Sequence, residues 1–317
     1  MSLLSIVVPC YNESLNLSKF YTCIHHQIYT IQTQINPKIC YELIFINDGS
    51  TDDTLQILNH LQQQDESIKI INFSRNFGKE SAILAGLQNS KGDAIVLIDA
   101  DLQDPIELIF EMVQIYCSNK TDIVCVKRTN RKGESQIRAA FSEVFYKIAQ
   151  LISEVRIQSG IRDFRLMSKE VVEAILSLKE YHRFSKAIFE WVGFKKVCLE
   201  YEYIPREAGI SGWSFWKLFK YGIEGLVSFS TLPLRLAFIF GFIFSMVSFA
   251  YGAWIIIDTL IFGSDVKGYP SLMCAIIFLG GIQLMGLGII GEYIARIYEQ
   301  TKNRPHFIIK ENYDFKE

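Results

Sequence analysis

The sequence predicts an α/β fold built on a wound, mostly parallel sheet, followed by a transmembrane hairpin of two helices. Short apolar runs rich in β-branched residues alternate with helical patterns through the first two thirds of the chain. Each of the first four such runs ends in a cluster of polar residues. In the last third, two long segments carry no charged residue, which is typical of helices that cross a membrane.

Composition narrows the possible functions. Of the 317 residues, 50% are hydrophobic, and the net charge of −2 lacks the basic footprint that nucleic acid requires. The mean hydropathy of +0.18 is high for an ordinary soluble enzyme. Seven cysteines without a C-x-x-C pair argue against a zinc site or a disulfide framework and favour a reducing compartment. The N-terminus runs directly into a strand pattern, so we expect no signal peptide.

The four strands and their polar clusters set up one candidate site. Strands are predicted over residues 3–9, 41–46, 68–73 and 94–98, and the polar clusters follow at 10–14, 47–54, 74–80 and 99–105. Helices are predicted at 54–64 and 81–88. Because open α/β sheets bind ligands at the carboxyl ends of their strands, four aligned clusters indicate a cleft along one edge.

The cluster after the fourth strand is the most acidic. Asp99 and Asp101 are separated by one residue, and Pro105 closes the segment. Carboxylates with few other donors nearby suit Mg²⁺ or Mn²⁺ held jointly with substrate phosphates. The alternative is a solvated turn whose aspartates cap a helix that begins at Pro105.

The middle of the chain is less regular. A strand at 122–126 precedes a basic loop at 127–133, which is either solvated surface or, with the amphipathic helix predicted at 137–155, an element at a membrane surface. A helix at 169–178 and a β segment at 194–203 follow. The loop at 204–212 leads into an aromatic, basic helix that begins at Trp213.

The two charge-free segments, 236–257 and 268–291, each reach the length of about 20 residues that spans a bilayer. Lysines and arginines flank the outer ends of both, so the positive-inside rule places both termini in the cytoplasm. We therefore expect a multi-pass protein of the inner membrane. Its predicted parts are a catalytic domain (1–212), a juxtamembrane helix (213–231), two transmembrane helices (about 235–258 and 269–293, within 232–298) and a cytoplasmic tail (299–317).

Six sequence blocks, in this order, resemble the family-2 glycosyltransferases of the GT-A fold. They are VVPCYNE (7–13), NDGSTDDT (47–54), SRNFGKE (74–80), DADLQDP (99–105), RDFRL (162–166) and the C-terminal hairpin. Within the family, the chain is most similar to the polyprenyl-phosphate branch, which includes dolichol-phosphate mannosyltransferases and bacterial enzymes of the GtrB and ArnC type.

The resemblance implies a donor site for a nucleotide sugar. Its residues would be Pro9, Tyr11, Asn12, Glu13, Asp48, Lys79, Asp99, Asp101 and Arg206. Asp101 and Gln103 would ligate a divalent metal, Mg²⁺ or Mn²⁺, and Arg206 would grip the diphosphate. The family pattern around Arg206 ends in a basic residue, which is Gly212 here.

The resemblance also implies an acceptor site. Arg128, Arg138 and Ser142 would receive the lipid phosphate, and Asp163 matches the residue usually assigned as the base. A phosphate monoester has a second pKa of roughly 6 and scarcely needs a base. Our hypothesis is that Asp163 mainly positions the acceptor or Arg165. The alternative is a structural ion pair between Asp163 and Arg165.

The implied activity is inverting transfer of a hexose, with UDP-glucose favoured, to undecaprenyl phosphate at the cytoplasmic face, with Asp163, Asp101 and Arg206 as catalytic residues. The family also implies a homo-oligomer assembled through the membrane helices. Three alternatives remain: a family-2 transferase with another acceptor, a nucleotide-binding scaffold with a degenerate site, and a lipid transporter. UDP-N-acetylhexosamine, UDP-galactose and 4-amino-4-deoxy-arabinose donors also remain open.

Overall fold

The computed structural model describes residues 1–119, 121–129, 160–201 and 268–313, with short stretches between 239 and 261. Its strands are β1 (Leu3–Cys10), β2 (Cys40–Asn47), β3 (Ile68–Phe73), β4 (Ala94–Leu97), β5 (Ile123–Arg128), β6 (Ile161–Ser168), β7 (Lys196–Tyr201) and β8 (Ile309–Tyr313). Its helices are α1 (Leu17–Gln34), α2 (Thr54–Gln64), α3 (Lys79–Asn89), α4 (Leu108–Asn119), α5 (Lys169–Ser177), α6 (Ser185–Trp191) and α7 (Tyr269–Thr301).

All eight described strands form one sheet in the order β7-β5-β6-β4-β1-β2-β3-β8. The central strands β4, β1, β2 and β3 are parallel, so their carboxyl ends meet at one edge. β6 runs antiparallel to β4, and β8 runs antiparallel to β3. The prediction of a mostly parallel α/β sheet is therefore confirmed.

The central strands of the sheet are buried on both faces, which explains why they are largely apolar. All six residues of β3 are buried, as expected for a central parallel strand covered on two sides. On one face, Leu4, Ile6 and Val8 join the core cluster that contains residues of α1, α2 and α4. On the other face, a Cβ added to Gly86 of α3 would lie 2.2 Å from a methyl carbon of Val7, so α3 packs directly onto β1.

Most predicted elements of the catalytic domain are confirmed to within a few residues. β3 and α2 have the predicted bounds, and the predicted strands at 122–126 and 194–203 correspond to β5 and β7. The helix after the acidic cluster begins at Leu108 rather than at Pro105. Three elements were not predicted from the sequence: β6, β8 and the short helix α6. The predicted helices at 137–155 and from Trp213 lie outside the described residues.

One expectation about the cysteines is wrong. Cys125 and Cys198 form a disulfide. They are 73 residues apart in sequence, but β5 and β7 are adjacent and place the two residues directly opposite each other. A pairing that depends on strand register cannot be read from cysteine spacing, which is why the sequence argued against it. Four other cysteines in the described part are free: Cys10, Cys23, Cys40 and Cys117.

The chain divides into two compact units, Met1–Gly225 with Pro305–Glu317, and Leu226–Arg304. The last residues that we predicted as a separate tail therefore return to the first unit, where they supply β8. In the second unit, one described helix segment, Phe278–Thr301, is long and apolar enough to cross a membrane. The first predicted transmembrane helix is described only in short helical stretches.

Candidate active site

The carboxyl edge of the sheet gathers acidic residues from three strands. Asp48 directly follows β2, and Asp99 and Asp101 follow β4. Because β6 is antiparallel to β4, with Arg165 opposite Leu97, the start of β6 brings Asp163 to the same edge. The topology thus brings together residues that are more than a hundred positions apart in sequence.

Lys79 is the charge that links two of these carboxylates. Its Nζ donates to Asp99 Oδ2 and to Asp163 Oδ2, both at 2.7 Å. Burial alone would lower the pKa of Lys79, but Asp163 and Asp99 raise it well above its ordinary value. Burial opposes ionisation of Asp163, but the charges of Lys79 and Lys186 hold its pKa well below the usual range. Asp163 is therefore an ionised carboxylate and a weak base.

Arg165 holds the main chain on which Asp163 sits. Its guanidinium donates to the carbonyl oxygens of Asp163 (3.1 Å) and Arg162 (2.7 Å) and lies 3.7 Å over the ring of Phe189. Burial lowers the pKa of Arg165 to about 10. These hydrogen bonds go to carbonyl groups, so Arg165 fixes the backbone at the start of β6. The observed ion pair of Asp163 is with Lys79 and not with Arg165.

Asp48 joins the second and third polar clusters. Its two carboxylate oxygens accept hydrogen bonds from the backbone N–H groups of Phe77 (2.7 Å) and Gly78 (3.0 Å). Burial raises the pKa of Asp48, and these two hydrogen bonds oppose the shift. The next residue, Gly49, has φ +65°, and a Cβ there would lie 2.3 Å from the carbonyl carbon of Arg75. The two loops therefore pack at a distance that only glycine permits.

The segment after β1 combines an exposed aromatic ring with a tightly held backbone. Tyr11 is 47% exposed, which leaves its ring available to stack on a planar ligand. Asn12 has a left-handed backbone, φ 56°, and its Oδ1 accepts from the N–H of Thr51 at 2.8 Å. The N–H of Glu13 donates to Thr54 Oγ1 at 2.9 Å. Asn12 thus ties the first loop to the second. Pro9 lies within β1.

The acidic loop turns sharply directly after Asp101. The N–H of Gln103 donates to Asp101 Oδ1 at 3.1 Å, and Leu102 between them has φ 58°. A left-handed backbone is uncommon for leucine and marks a conformation that the surroundings impose. The turn holds the Asp101 carboxylate against the backbone N–H of Gln103.

A buried hydrogen-bond network stabilises this loop. Asp104, 3% exposed, accepts from Arg162 Nε (3.1 Å) and from the Tyr201 hydroxyl (2.8 Å). Arg162 also donates to Gln103 Oε1 at 3.3 Å. Burial raises the pKa of Asp104, while the charge of Arg162 lowers it. Tyr201 of β7 lies opposite Arg128 of β5. Arg128, which is predicted to bind the lipid phosphate, therefore lies beside the same network.

The donor set at this loop fits a hard divalent cation. Carboxylate and amide oxygens are ligands that Mg²⁺ and Mn²⁺ accept, and Mg²⁺ commonly takes only one or two carboxylates together with substrate phosphates. Within the described ranges, no cluster of three or more His, Cys, Asp or Glu side chains could enclose a metal by itself. A metal bound by Asp101 and Gln103 would therefore depend on substrate oxygens to complete its coordination.

The structure gathers most of the predicted site residues at one edge, but not all of them can be placed. Arg206, Arg138 and Ser142 lie outside the described residues. Sequence patterns gave no role to Arg162, Asp104 or Tyr201. Asp104 and Arg162 belong to the blocks DADLQDP and RDFRL, so two opposite charges in the family motifs were the signal that could have indicated their pairing. Tyr201 carried none, because its contact to Asp104 spans 97 residues.

A sheet whose parallel strands deliver carboxylates to one edge, with an exposed aromatic ring beside them, is the arrangement of α/β enzymes that bind nucleotides. Sequence comparison specifies the class. The profile of glycosyl transferase family 2 matches residues 5–176, and that of the GtrB C-terminal hairpin matches residues 232–297. The chain belongs to glycosyl transferase family 2.

Relatives match along nearly the whole chain. The SfII prophage-derived bactoprenol glucosyl transferase of Shigella flexneri is 45% identical over 310 residues, covering 98% of each chain. The putative glycosyltransferase CsbB of Bacillus subtilis is 43% identical over 98% of this chain and 92% of its own. The chain is therefore a family-2 glycosyltransferase that carries the hairpin, and the predicted family is confirmed.

Solved structures show a more distant likeness. The mannosyltransferase PcManGT from Pyrobaculum calidifontis, in complex with GDP-Man and Mn²⁺, aligns with a TM-score of 0.49 and 14% identity, covering 94% of this chain and 87% of its own. Glucosyl-3-phosphoglycerate synthase from Mycobacterium tuberculosis aligns with a TM-score of 0.45 and 18% identity, covering 72% and 79%.

Proposed function

We propose that this protein transfers glucose from UDP-glucose to the phosphate of a polyprenyl phosphate, undecaprenyl phosphate, with inversion at the anomeric carbon. The observation that carries the proposal is the convergence of Asp48, Asp99, Asp101 and Asp163 at one sheet edge in a chain that is 45% identical, over nearly its whole length, to a protein named bactoprenol glucosyl transferase. The lipid product would serve as a sugar donor for surface glycans.

The donor half of the site rests on the loops after β1 and β2. Tyr11 offers a ring on which a base can stack, and the carboxylates of Asp48 and Glu13 are acceptors for the base and ribose. Asp99, which is held by Lys79, is proposed to face the ribose. Departure of UDP leaves negative charge on the diphosphate, so this half of the site also needs positive charge, which Arg206 is proposed to supply.

Asp101 and Gln103 are proposed to hold Mg²⁺ or Mn²⁺. When bound, the cation would neutralise charge that develops on the leaving diphosphate. The contribution of this chain is the geometry: Leu102 turns the backbone, and Arg162 orients the Gln103 amide while binding Asp104 below the loop.

The acceptor half is proposed to involve Arg128, Arg138 and Ser142, which would bind the lipid phosphate. Because this phosphate is mostly dianionic above its second pKa of roughly 6, it can attack without losing a proton to the enzyme. Asp163, whose pKa is held low by Lys79 and Lys186, suits a role in positioning rather than in proton removal.

The proposed membrane topology is supported by the proposed acceptor and by the path of the chain. A polyprenyl phosphate stays in the bilayer, so the catalytic unit must work at its surface. The chain leaves this unit after Gly225 and re-enters it at Pro305. This path supports the proposed two-helix hairpin, with both termini in the cytoplasm. Assembly into a homo-oligomer through these helices is part of the proposal.

The experiment is a donor panel with the full-length protein in detergent. UDP-glucose, UDP-galactose and UDP-N-acetylglucosamine are each offered with undecaprenyl phosphate, and the lipid product is identified by mass spectrometry and its anomeric configuration by NMR. A β-glucosyl phosphodiester formed from UDP-glucose alone supports the proposal. Transfer to a glycan or to water instead of the lipid would favour the alternative of a family-2 transferase with another acceptor.

A further inference from the structure

The chain segment that follows the hairpin returns to the wall of the donor site. β8 pairs antiparallel with β3, with Glu311 opposite Asn72 and Ile309 opposite Phe73. Just beyond β3, the N–H of Ser74 donates to the carbonyl oxygen of Ile308 at 3.0 Å. β8 is therefore attached to the strand that leads directly into the loop whose N–H groups bind Asp48.

A chain of three side chains connects β8 to the Asp48 loop. Glu311 Oε2 accepts from Asn72 Nδ2 at 3.2 Å, and Asn72 Oδ1 accepts from Asn47 Nδ2 at 2.9 Å. Asn47 Oδ1 in turn accepts from the N–H of Ser50 at 3.2 Å. Asn47 and Asn72 are 1% and 4% exposed, so water does not readily substitute for these contacts. Asn47 and Ser50 flank Asp48 on both sides.

Glu311, at one end of this series of hydrogen bonds, sets the donor-to-acceptor direction of the whole series. An asparagine amide can donate from its nitrogen or accept at its oxygen, and its orientation follows from its partners. An ionised glutamate can only accept. Glu311 therefore requires the nitrogen of Asn72, which leaves the oxygen of Asn72 for Asn47, and this leaves the oxygen of Asn47 for the N–H of Ser50.

An aromatic contact reaches the same loop by a second route. The ring of Phe307 stacks on Phe73 with centroids 4.9 Å apart, and Phe73 meets Phe77 edge to face at 5.8 Å. The backbone N–H of Phe77 is one of the two donors to Asp48. Residues on both sides of the Asp48 carboxylate thus depend on side chains from the end of the sequence.

We propose that Glu311 and Phe307 are positioning residues of the nucleotide-sugar site. Glu311 orients the Asn72 and Asn47 amides so that the Asp48 loop is held in its binding conformation, and Phe307 supports the loop of Phe77. This role rests on the proposed function, because it assigns Asp48 to the donor. It makes donor binding dependent on a segment that the chain reaches only after the membrane hairpin.

The test uses full-length variants that differ in what position 311 can offer. Glu311→Lys presents only donors and forces the Asn72 amide to turn, whereas Glu311→Gln keeps an oxygen that can accept. We expect the donor KM to rise about five- to tenfold in Glu311→Lys, the loss expected when the buried amide of Asn72 is mispaired. We expect kcat and the acceptor KM to stay within about twofold. Glu311→Gln should stay close to the parent.

Lys310→Ala is the matched control on the same strand. The Lys310 side chain is 63% exposed and reaches Glu311 only at 4.0 Å, a contact that solvent screens. Its donor KM should not change. A donor KM in Glu311→Lys equal to that of Lys310→Ala would overturn the proposal.

Hydrogen exchange separates this inference from the proposed function. In Glu311→Lys the amide of Ser50 should exchange faster, a result that needs no substrate. If the parent protein transfers no sugar but this amide responds, the proposed function fails, whereas the structural link from Glu311 to the Asp48 loop stands. Unchanged exchange at Ser50 would refute the positioning role whatever the activity.

A second pair of variants covers the case in which Glu311→Lys does not fold. Phe307→Leu should raise the donor KM and speed exchange at Phe77. Phe20→Leu, in a buried ring pair with Phe45 on the other face of the sheet, should lower stability with neither effect. Equal donor KM values in these two variants would count against the aromatic route.

Discussion

The ammonium group of Lys79 lies 2.7 Å from the carboxylate of Asp163, the residue that family resemblance nominates as the base. A carboxylate paired with a lysine is stabilised in its charged form. It is therefore a poor proton acceptor. The same lysine reaches Asp99 at 2.7 Å. One cation therefore holds together Asp99, which is proposed to bind the donor, and Asp163, which is proposed to position the acceptor.

The first prediction concerns Asp163→Asn. Because the pKa of Asp163 is already held well below the usual range, its protonation cannot produce an acidic limb near neutral pH. We expect kcat to fall about 100-fold through loss of positioning, with the acidic limb of the pH–rate profile unmoved. A loss of rate confined to low pH would show that Asp163 acts as the base.

The second prediction is the complementary variant, Lys79→Gln. Removing the ammonium leaves burial as the main influence on Asp163, so the pKa of that carboxyl should rise. Activity should then fall on the acidic side at a higher pH than in the parent, measured as a pH–rate profile at saturating donor. Lys79→Arg, which keeps the charge, serves as the control; a profile unchanged in Lys79→Gln contradicts the proposed electrostatic role of Lys79.

The ion pair between Lys79 and Asp163 contributes to the free energy of unfolding within a defined pH range. The folded pKa of Asp163 is depressed, so its contribution is present above its unfolded pKa and is lost as pH falls through the folded value. The folded pKa of Lys79 is raised, so its contribution is present below its unfolded pKa and is lost as pH rises through the folded value. Both contributions are present at neutral pH.

The third prediction separates a steric clash from backbone strain. Gly49→Ala places a Cβ 2.3 Å from a backbone carbon of Arg75 at φ +65°, so the free energy of unfolding should fall by about 2 kcal/mol or more and donor affinity should drop. Gly78→Ala, at φ +96° and ψ 158°, has no atom within 4 Å of the added Cβ, so its cost of about 1 to 3 kcal/mol should come from backbone strain alone. Chemical denaturation measures both losses; a loss below about 1 kcal/mol in Gly49→Ala would mean that the two loops do not pack as described.

The fourth prediction concerns the support of the acidic loop. Arg162→Gln removes the charged donor to buried Asp104 and the contact that orients the Gln103 amide. We expect Mn²⁺ affinity in the presence of UDP, measured by electron paramagnetic resonance, to weaken about tenfold, as is typical when an outer partner of a metal ligand is lost. Tyr201→Phe removes the other donor to Asp104 and leaves Gln103 untouched, so it should have a smaller effect. The reverse order would show that Asp104, and not Gln103, controls the metal.

The sequence was most informative where local chemistry decides structure. The central parallel strands could be predicted because burial on both faces makes them largely apolar, and the polar residues that follow them indicated a site. β6 and β8 could not be predicted, because both are antiparallel additions to a parallel sheet whose pairing depends on distant partners. For the same reason, Lys79 was assigned to the donor site but its bridge to Asp163 could not be foreseen.

The presence of β8 also changes how the hairpin should be tested. The sequence suggests that deleting residues 232–317 would impair transfer to lipid far more than nucleotide binding. That deletion also removes β8, with Phe307 and Glu311, so nucleotide binding should weaken as well. A deletion variant that is meant to report on the hairpin alone must retain residues 305–313.

The most direct measurement is transfer of radiolabelled glucose from UDP-glucose to undecaprenyl phosphate by the full-length protein in detergent. It is made with Mg²⁺, with Mn²⁺ and with EDTA, alongside Asp101→Ala and the exposed-residue control Glu66→Ala. We expect metal-dependent labelling of the lipid that is lost in Asp101→Ala and retained in Glu66→Ala. Intact nucleotide binding without labelled lipid under any of these conditions would contradict the central claim that the acceptor is a lipid phosphate.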